Sequence, residues 1–144
     1  MADTNKEYLQ TNKFKVKLEN EEWDKFIEVD GLGINFEVIT NNEGGRNTME
    51  LSPGRAHMTR LVLKRRFRDD KSLVKWIKDI QAGKNIRKSG SVILLDAEGT
   101  KEVARFNFFK AFPCEWRAPR LSTTEKSDAA IETITLAVED VELA

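Results

Sequence analysis

Cysteine is nearly absent: the 144 residues contain one, Cys114. That excludes an intramolecular disulfide and any cysteine-based metal site. Lying in an aromatic-rich stretch, this thiol is expected to be a small core filler rather than a reactive group. Histidine is equally scarce. His57 is the only one, and no second ligand stands at metal-binding spacing from it. A Ser–His or Cys–His pair needs only to meet in space, so spacing does not decide an enzymatic site centred on His57. No glycine-rich phosphate loop of either common type occurs, and no cofactor is implied. No apolar run is long enough to span a membrane. The first residues, MADTNKEYLQTNK, are polar and lack the apolar stretch of a signal peptide. The chain is therefore expected to be made in the cytoplasm without a cleaved signal. Net charge is absent too: 24 Lys and Arg balance 24 Asp and Glu. A dedicated nucleic-acid binder would be basic, and a balanced surface permits self-association.

What is present is β-pattern. The length suits one domain over 1–144, with 1–12 as a flexible arm. Phe14, Val16 and Leu18 alternate with Lys13, Lys15 and Lys17, the mark of a half-buried strand. Asn20 to Glu22 reads as a turn, and Trp23 to Val29 as a second strand. Ile34, Phe36 and Val38 alternate with Asn35 and Glu37 in a third. Residues 41–56, with three Gly and one Pro, read as a long loop. Long loops in compact domains tend to be functional, and Met49 and Leu51 give this one something to bury. Thr59, Leu61 and Leu63 begin a fourth strand running into Lys64-Arg65-Arg66-Phe67-Arg68. This basic run could suggest a nucleic-acid patch, but a strand sends Arg65 to the face opposite Lys64 and Arg66, and Asp69-Asp70 offsets the charge.

One helix is convincing. Asp69 or Asp70 can cap it, Leu73, Trp76, Ile77 and Ile80 form one apolar stripe, and Gly83 supplies the stop. Asn85 to Ser91 reads as a turn. Val92 to Trp116 is the organising stretch: an apolar strand buried on both faces, a short loop at Asp96 to Thr100, then a long strand that bends near Pro113. Proline has no N–H for the ladder, so Pro113 ends pairing or sits at an edge. A further polar loop covers 117–128. The last strand, 129–142, carries apolar or β-branched residues on both faces and is expected to be central. The fold class is mainly β with one α-helix: packed antiparallel sheets or a β-barrel, with the helix flanking.

The order of these motifs resembles a known family. The F-x-V-x-L strand at Phe14, Val29-Asp30-Gly31-Leu32, the Gly44-Gly45 loop and Leu51-Ser52-Pro53-Gly54-Arg55 come first. A T-x-L-x-L-K-R strand at Thr59, W-I-x-D-I-x-x-G from Trp76 to Gly83, Phe106-Asn107-Phe108 and Ala130-Ile131-Glu132-Thr133 follow. The set resembles the tail tube proteins of contractile phage tails and phage-tail-like injection systems, from about Phe14 to the end. Cys114-Glu115 departs from the usual Thr-Lys.

The resemblance implies a structural protein, not an enzyme. Six-membered rings of itself would stack into a hollow tube, their strands joining into a ring-wide barrel. A contractile sheath, baseplate and spike hub proteins and a tube-terminating cap would be its partners, and protein or DNA its luminal cargo. Assembly would be into a phage tail or an injection particle. Gly44, Gly45, Met49, Leu51, Pro53 and Arg55 are the expected intersubunit loop residues. Asn35, Glu37, Arg60, Lys64 and Arg66 are the candidates for the channel face, with Leu61 and Leu63 turned to the core. A ring-forming tube component of the type VI secretion apparatus is a close alternative. A small nucleic-acid-binding β-barrel is one from a different class.

Overall fold

A computed structural model describes residues 13–19, 21–23, 26–42, 44–45, 47–123 and 129–144; the expected arm at 1–12 lies outside them. Ten strands and one helix follow in the order β1 (Phe14–Leu18), β2 (Glu21–Trp23), β3 (Glu28–Asp30), β4 (Ile34–Asn41), β5 (Glu50–Met58), β6 (Leu61–Arg66), α1 (Lys71–Gln81), β7 (Lys88–Leu95), β8 (Glu102–Arg117), β9 (Ile131–Ala137) and β10 (Asp140–Leu143). Eight strands form one sheet in the order β2-β1-β7-β8-β9-β6-β3, with β10 also on β8. β4 and β5 form a separate two-stranded sheet. All pairings are antiparallel.

The bent hairpin of β7 and β8 is the frame. Asp96 closes its turn by accepting from the N–H groups of Thr100 at 2.9 Å and Lys101 at 3.3 Å. Thr100 first, and then Lys101, also hold this carboxyl below its ordinary value against the opposing effect of burial. β8 then runs for 16 residues. Its first part pairs with β7 and its last part with β9, the register shifting between Pro113 and Glu115. Lys110 adopts a left-handed φ of 52° beside this change of partners. The pairing of β7 ends at Ala111, so among the described residues Pro113 stands where β8 has β9 as its one sheet neighbour. That is the edge position the missing N–H requires.

The bend folds the sheet on itself. Val16 of β1, Val92 of β7 and Phe108 of β8 share one core with Leu61 and Leu63 of β6 and Ile134 and Leu136 of β9. Leu73 and Trp76 of α1 join that core, with Ile77 and Ile80 packed beside them. Asp70 caps α1 through the N–H groups of Ser72 at 3.0 Å and Leu73 at 3.3 Å. The Trp76 indole donates to the Ile86 carbonyl at 3.0 Å, tying the helix to the segment that enters β7. Gly90 is required by packing: a Cβ there would lie 2.3 Å from the Lys17 carbonyl oxygen and 2.7 Å from the Phe108 ring.

Several boundaries differ from the sequence reading. The expected strand from Trp23 to Val29 is two short strands, and the expected turn at Asn20 to Glu22 contains the start of β2. β7 begins at Lys88, inside the expected turn at Asn85 to Ser91. Cys114 is exposed, not a core filler. The left-handed Lys110, beside an irregularity in the β7 pairing, moves the inward alternation from Phe108 to Ala111 and Pro113, and so turns Cys114 outward. Trp116, at the end of the organising stretch, remains 41% exposed.

Candidate functional site

The expected loop at 41–56 is a loop only in part. Glu50–Met58 is strand β5, paired along its length with β4 from Ile34↔Met58 to Asn41↔Glu50. Pro53 and Gly54 suggested a break, but each strand of a two-stranded ribbon has a free edge on which a missing N–H costs nothing. The register shifts between Phe36 and Val38, opposite the stretch from Pro53 to Ala56, a bulge that sharpens the local twist. Gly54 fits this crowded point, where a Cβ would sit 3.2 Å from the Glu37 carbonyl oxygen. At the base of the ribbon, Gly31 turns the chain at φ 98°, and a Cβ there would collide with the Arg60 carbonyl at 2.0 Å. Thr59 N–H bonds the Gly33 carbonyl at 3.0 Å and closes the base.

The ribbon is amphipathic. By the period of two, Ile34, Phe36, Val38 and Thr40 share a face, with Met58, Ala56, Pro53 and Leu51 opposite them in the register. Asn35, Glu37 and Asn41 share the other face with His57, Ser52 and Glu50, and one apolar residue, Ile39, lies among them opposite Ser52. There Glu37 Oε1 and His57 Nε2 bond at 2.8 Å, and Asn41 Nδ2 donates to Ser52 Oγ at 3.4 Å. The alternation in β4 therefore does not point to the domain core. Phe36 is 53% exposed, Val38 65% and Leu51 66%. Met49 is exposed near the tip, where Gly44 and Gly45 form the turn, and Arg55 is exposed on β5. The geometry thus brings Leu51 and Pro53 onto one uncovered apolar face, with Met49 beyond its end.

A second surface is the outward face of β3, β6, β9 and the end of β8. Leu61 and Leu63 are fully buried, so Val62, Lys64 and Arg66 point outward. The register aligns Glu28, Lys64, Thr133 and Arg117 in one row, and Asp30, Val62, Thr135 and Glu115 in the next. Lys64 pairs with Glu28 at 3.1 Å and Arg117 with Glu115 at 2.6 Å. Arg60 is exposed just before β6.

Sequence reasoning missed a buried ionic cluster between β6, β9 and α1. Arg65 is 1% exposed and pairs through Nε with Glu132, also 1% exposed. Its Nη1 reaches Asp70 at 3.1 Å. Its guanidinium lies 5.9 Å from the Trp23 ring centroid and 5.5 Å from that of Phe26. The Trp116 indole donates to the second Glu132 oxygen at 2.9 Å. Burial tends to raise the Asp70 carboxyl, but hydrogen bonds from Ser72, Leu73 and Arg65 outweigh it and hold it down to about 2. A signal was present in the sequence: Arg65 has the parity of Leu61 and Leu63, and Glu132 that of Ile134 and Leu136. Inward charges of opposite sign need each other.

His57 meets Glu37 alone, and among the described residues no cluster of His, Cys, Asp or Glu is arranged to hold a metal ion. No described helix is long and apolar enough to cross a membrane.

Comparison with known proteins places this geometry. The family model described as T4-like virus tail tube protein gp19 matches residues 10–142. The structure of the anti-feeding prophage tube terminating cap matches with TM-score 0.87 and 27% identity, covering 100% of this chain and 99% of that one. The PVC sheath-tube complex of an extracellular contractile injection system, in the extended state, contains a chain matching at TM-score 0.85 and 26% identity, with 96% and 93% covered. Hcp1 from Flavobacterium johnsoniae shares the fold at TM-score 0.55 and 12% identity, with 94% of each chain covered. No curated protein matches the chain.

Proposed function

The chain belongs to the T4-like virus tail tube protein gp19 family, and from that premise we propose that it forms the inner tube of a contractile injection system, as six-membered rings stacked around a hollow bore. The observation that carries this reading is the β4–β5 ribbon. A lone two-stranded ribbon is marginal in water, and this one leaves Phe36, Val38 and Leu51 uncovered. A second copy of the chain is the cover. A head-to-tail contact repeated by rotation closes a ring, and stacked rings extend it. Gly44, Gly45, Met49, Leu51, Pro53 and Arg55 then belong to the intersubunit contact. The free edges of β3 and of the end of β8 are open to pairing between copies.

The polar ribbon face, with Asn35 and Glu37, and the outward face of β6, with Arg60, Lys64 and Arg66, form the channel wall. The role is mechanical rather than catalytic. The resemblance to tubes of the PVC and anti-feeding prophage particles supports a sheath, a cap and a baseplate as partners, and a particle acting outside the producing cell. A bore lined by both charge signs would pass protein or DNA.

Electron microscopy of the concentrated protein, alone or on a baseplate, tests the reading. Stacked six-fold rings with a central channel are expected. A uniform closed dimer without tubes under any condition would refute it.

A further inference from the structure

The body of the chain holds an apolar hollow that matches the uncovered end of the ribbon. This mouth has a volume of about 400 Å³. Phe14, Leu94 and Phe106 line one side of it, from β1, β7 and β8, and Val29 and Leu32 line the other. All five are only half-buried, so the subunit core does not fill the space between them. The charged side chains among its described lining residues are two acids, Glu28 and Asp30, both exposed. Lys64 meets Glu28 at 3.1 Å, and one Asp30 oxygen accepts from the Gly31 N–H at 2.8 Å. Two carboxylates against one ammonium leave the rim negative.

The ribbon carries the complement. Exposure along its apolar face rises from 48% at Ile34 and 53% at Phe36 to 65% at Val38 and 66% at Leu51. The half toward the tip is therefore the part least covered by its own subunit. Arg55 is the one Lys or Arg in β4 and β5, and it is exposed in the stretch from Pro53 to Ala56. Glu37 and Glu50 lie on the polar face, where His57 meets Glu37. Apolar side chains flanked by a guanidinium suit an apolar hollow rimmed by carboxylates. An acidic segment would meet that rim with like charge.

The two surfaces do not meet within one copy. Gly31 and Leu32 set the mouth at the base of the ribbon, whereas Leu51 pairs with Thr40, six residues beyond Ile34, roughly 20 Å away at about 3.3 Å per residue. A contact between two different surfaces is head-to-tail. Each copy gives a tip and receives one, so the contact propagates instead of stopping at a dimer.

We infer that this mouth takes the ribbon tip of a second copy, with Val38 and Leu51 entering the hollow and Arg55 facing Glu28 and Asp30. The inference rests on the tube reading. It supplies the receiving surface for the ribbon, which the ribbon alone does not identify.

The test uses the full chain carrying Cys114→Ser. Leu51→Cys is combined with Ile27→Cys at the mouth and, as a control pair, with Val74→Cys on α1; all three positions are exposed. Concentrated protein is treated with a short bis-maleimide and separated under denaturing conditions, while tubes are scored by microscopy. A ladder of covalent trimers and larger species is expected from the mouth pair, at least tenfold stronger than from the control pair. Each single-cysteine variant should stop at a dimer. Arg55→Glu should slow the mouth-pair ladder about threefold, and Glu28→Lys in the same chain should restore it. Tubes without a mouth-pair ladder, or with an equal ladder from the control pair, would overturn the inference and leave the tube reading intact. A cross-linked monomer alone would put the tip in its own mouth, and an unchanged rate with Arg55→Glu would remove the charge match; each overturns it equally. Absence of tubes from the unaltered protein would count against the tube reading instead, and the ladder in solution would still decide the docking.

Discussion

Arg65 shows how one side chain can be both a core residue and an anchor. A guanidinium taken out of water is costly unless its donors and charge are met. Here Glu132 accepts from its Nε and Asp70 from its Nη1, and the aromatic rings of Trp23 and Phe26 lie against it. Removing one partner leaves the other buried and uncompensated. Arg65→Met is therefore expected to lower unfolding free energy by about 3–5 kcal/mol, measured by urea denaturation. The double variant Arg65→Met, Glu132→Leu should recover much of that loss, and equal or additive losses would show that the pair is not coupled.

Asp70 gives the pH counterpart. Its carboxyl is lowered from the ordinary 3.8 to about 2. A depressed carboxyl contributes stability that is fully present above its unfolded value and is lost as pH falls through the folded one. Asp70→Asn keeps a capping side chain but removes the charge. Compared with the unaltered protein, the variant should lose less stability between about pH 4 and pH 2 in acid titrations followed by circular dichroism. Parallel curves would place the acid sensitivity elsewhere.

At the scale of elements, the ribbon separates what a pattern states from what it leaves open. Alternation in Ile34–Val38 correctly indicates a strand with one apolar face. It does not say whether that face meets the chain's own core or another molecule, because both coverings impose the same period. The same limit turned β5 into a loop: Gly44, Gly45, Pro53 and Gly54 carry strong turn signals, and only the absence of a third strand makes Pro53 harmless. By contrast, α1 was legible almost to the residue. Its cap, its stripe and its terminating glycine are local signals that agree with one another. The Cys114 error has a similar cause to that of β5, since a one-residue shift of the alternation flips a side chain to the other face and leaves no mark in composition. For the ribbon, Phe36→Asp with Val38→Asp is expected to leave cooperative thermal unfolding nearly unchanged, because both positions are already exposed in the subunit, while abolishing tubes in micrographs. Loss of the folded subunit would mean the face is covered within one chain. Normal tubes would mean it faces solvent in the assembly.

For the whole molecule, strand content, the single helix, the bent organising hairpin and the central position of β9 were legible. Burial of long strands and the chemistry of proline act locally enough to be written in sequence. The outward faces were harder, because water, a neighbour and a channel all tolerate polar residues. Here the register helps. Glu28, Lys64, Arg117, Asp30 and Glu115 lie in two adjacent rows of mixed sign, partly neutralised by the Lys64–Glu28 and Arg117–Glu115 pairs. A wall of one sign would hold an oppositely charged cargo, whereas a balanced wall lets it slide. If this face lines the bore, Lys64→Glu should leave folding and assembly intact and change what the channel admits. Leu63→Glu, which places a charge at a fully buried position, should prevent folding. The location itself can be read directly. Cys114 is exposed, so it is first replaced by serine, and a cysteine is then introduced as Lys64→Cys. Assembled tubes are treated with a maleimide too bulky to enter the bore and, in parallel, with a small one. Labelling by the small reagent alone along the length of the tube is the expected result, and ready labelling by the bulky one would put this face on the outside and remove Arg60, Lys64 and Arg66 from the channel wall.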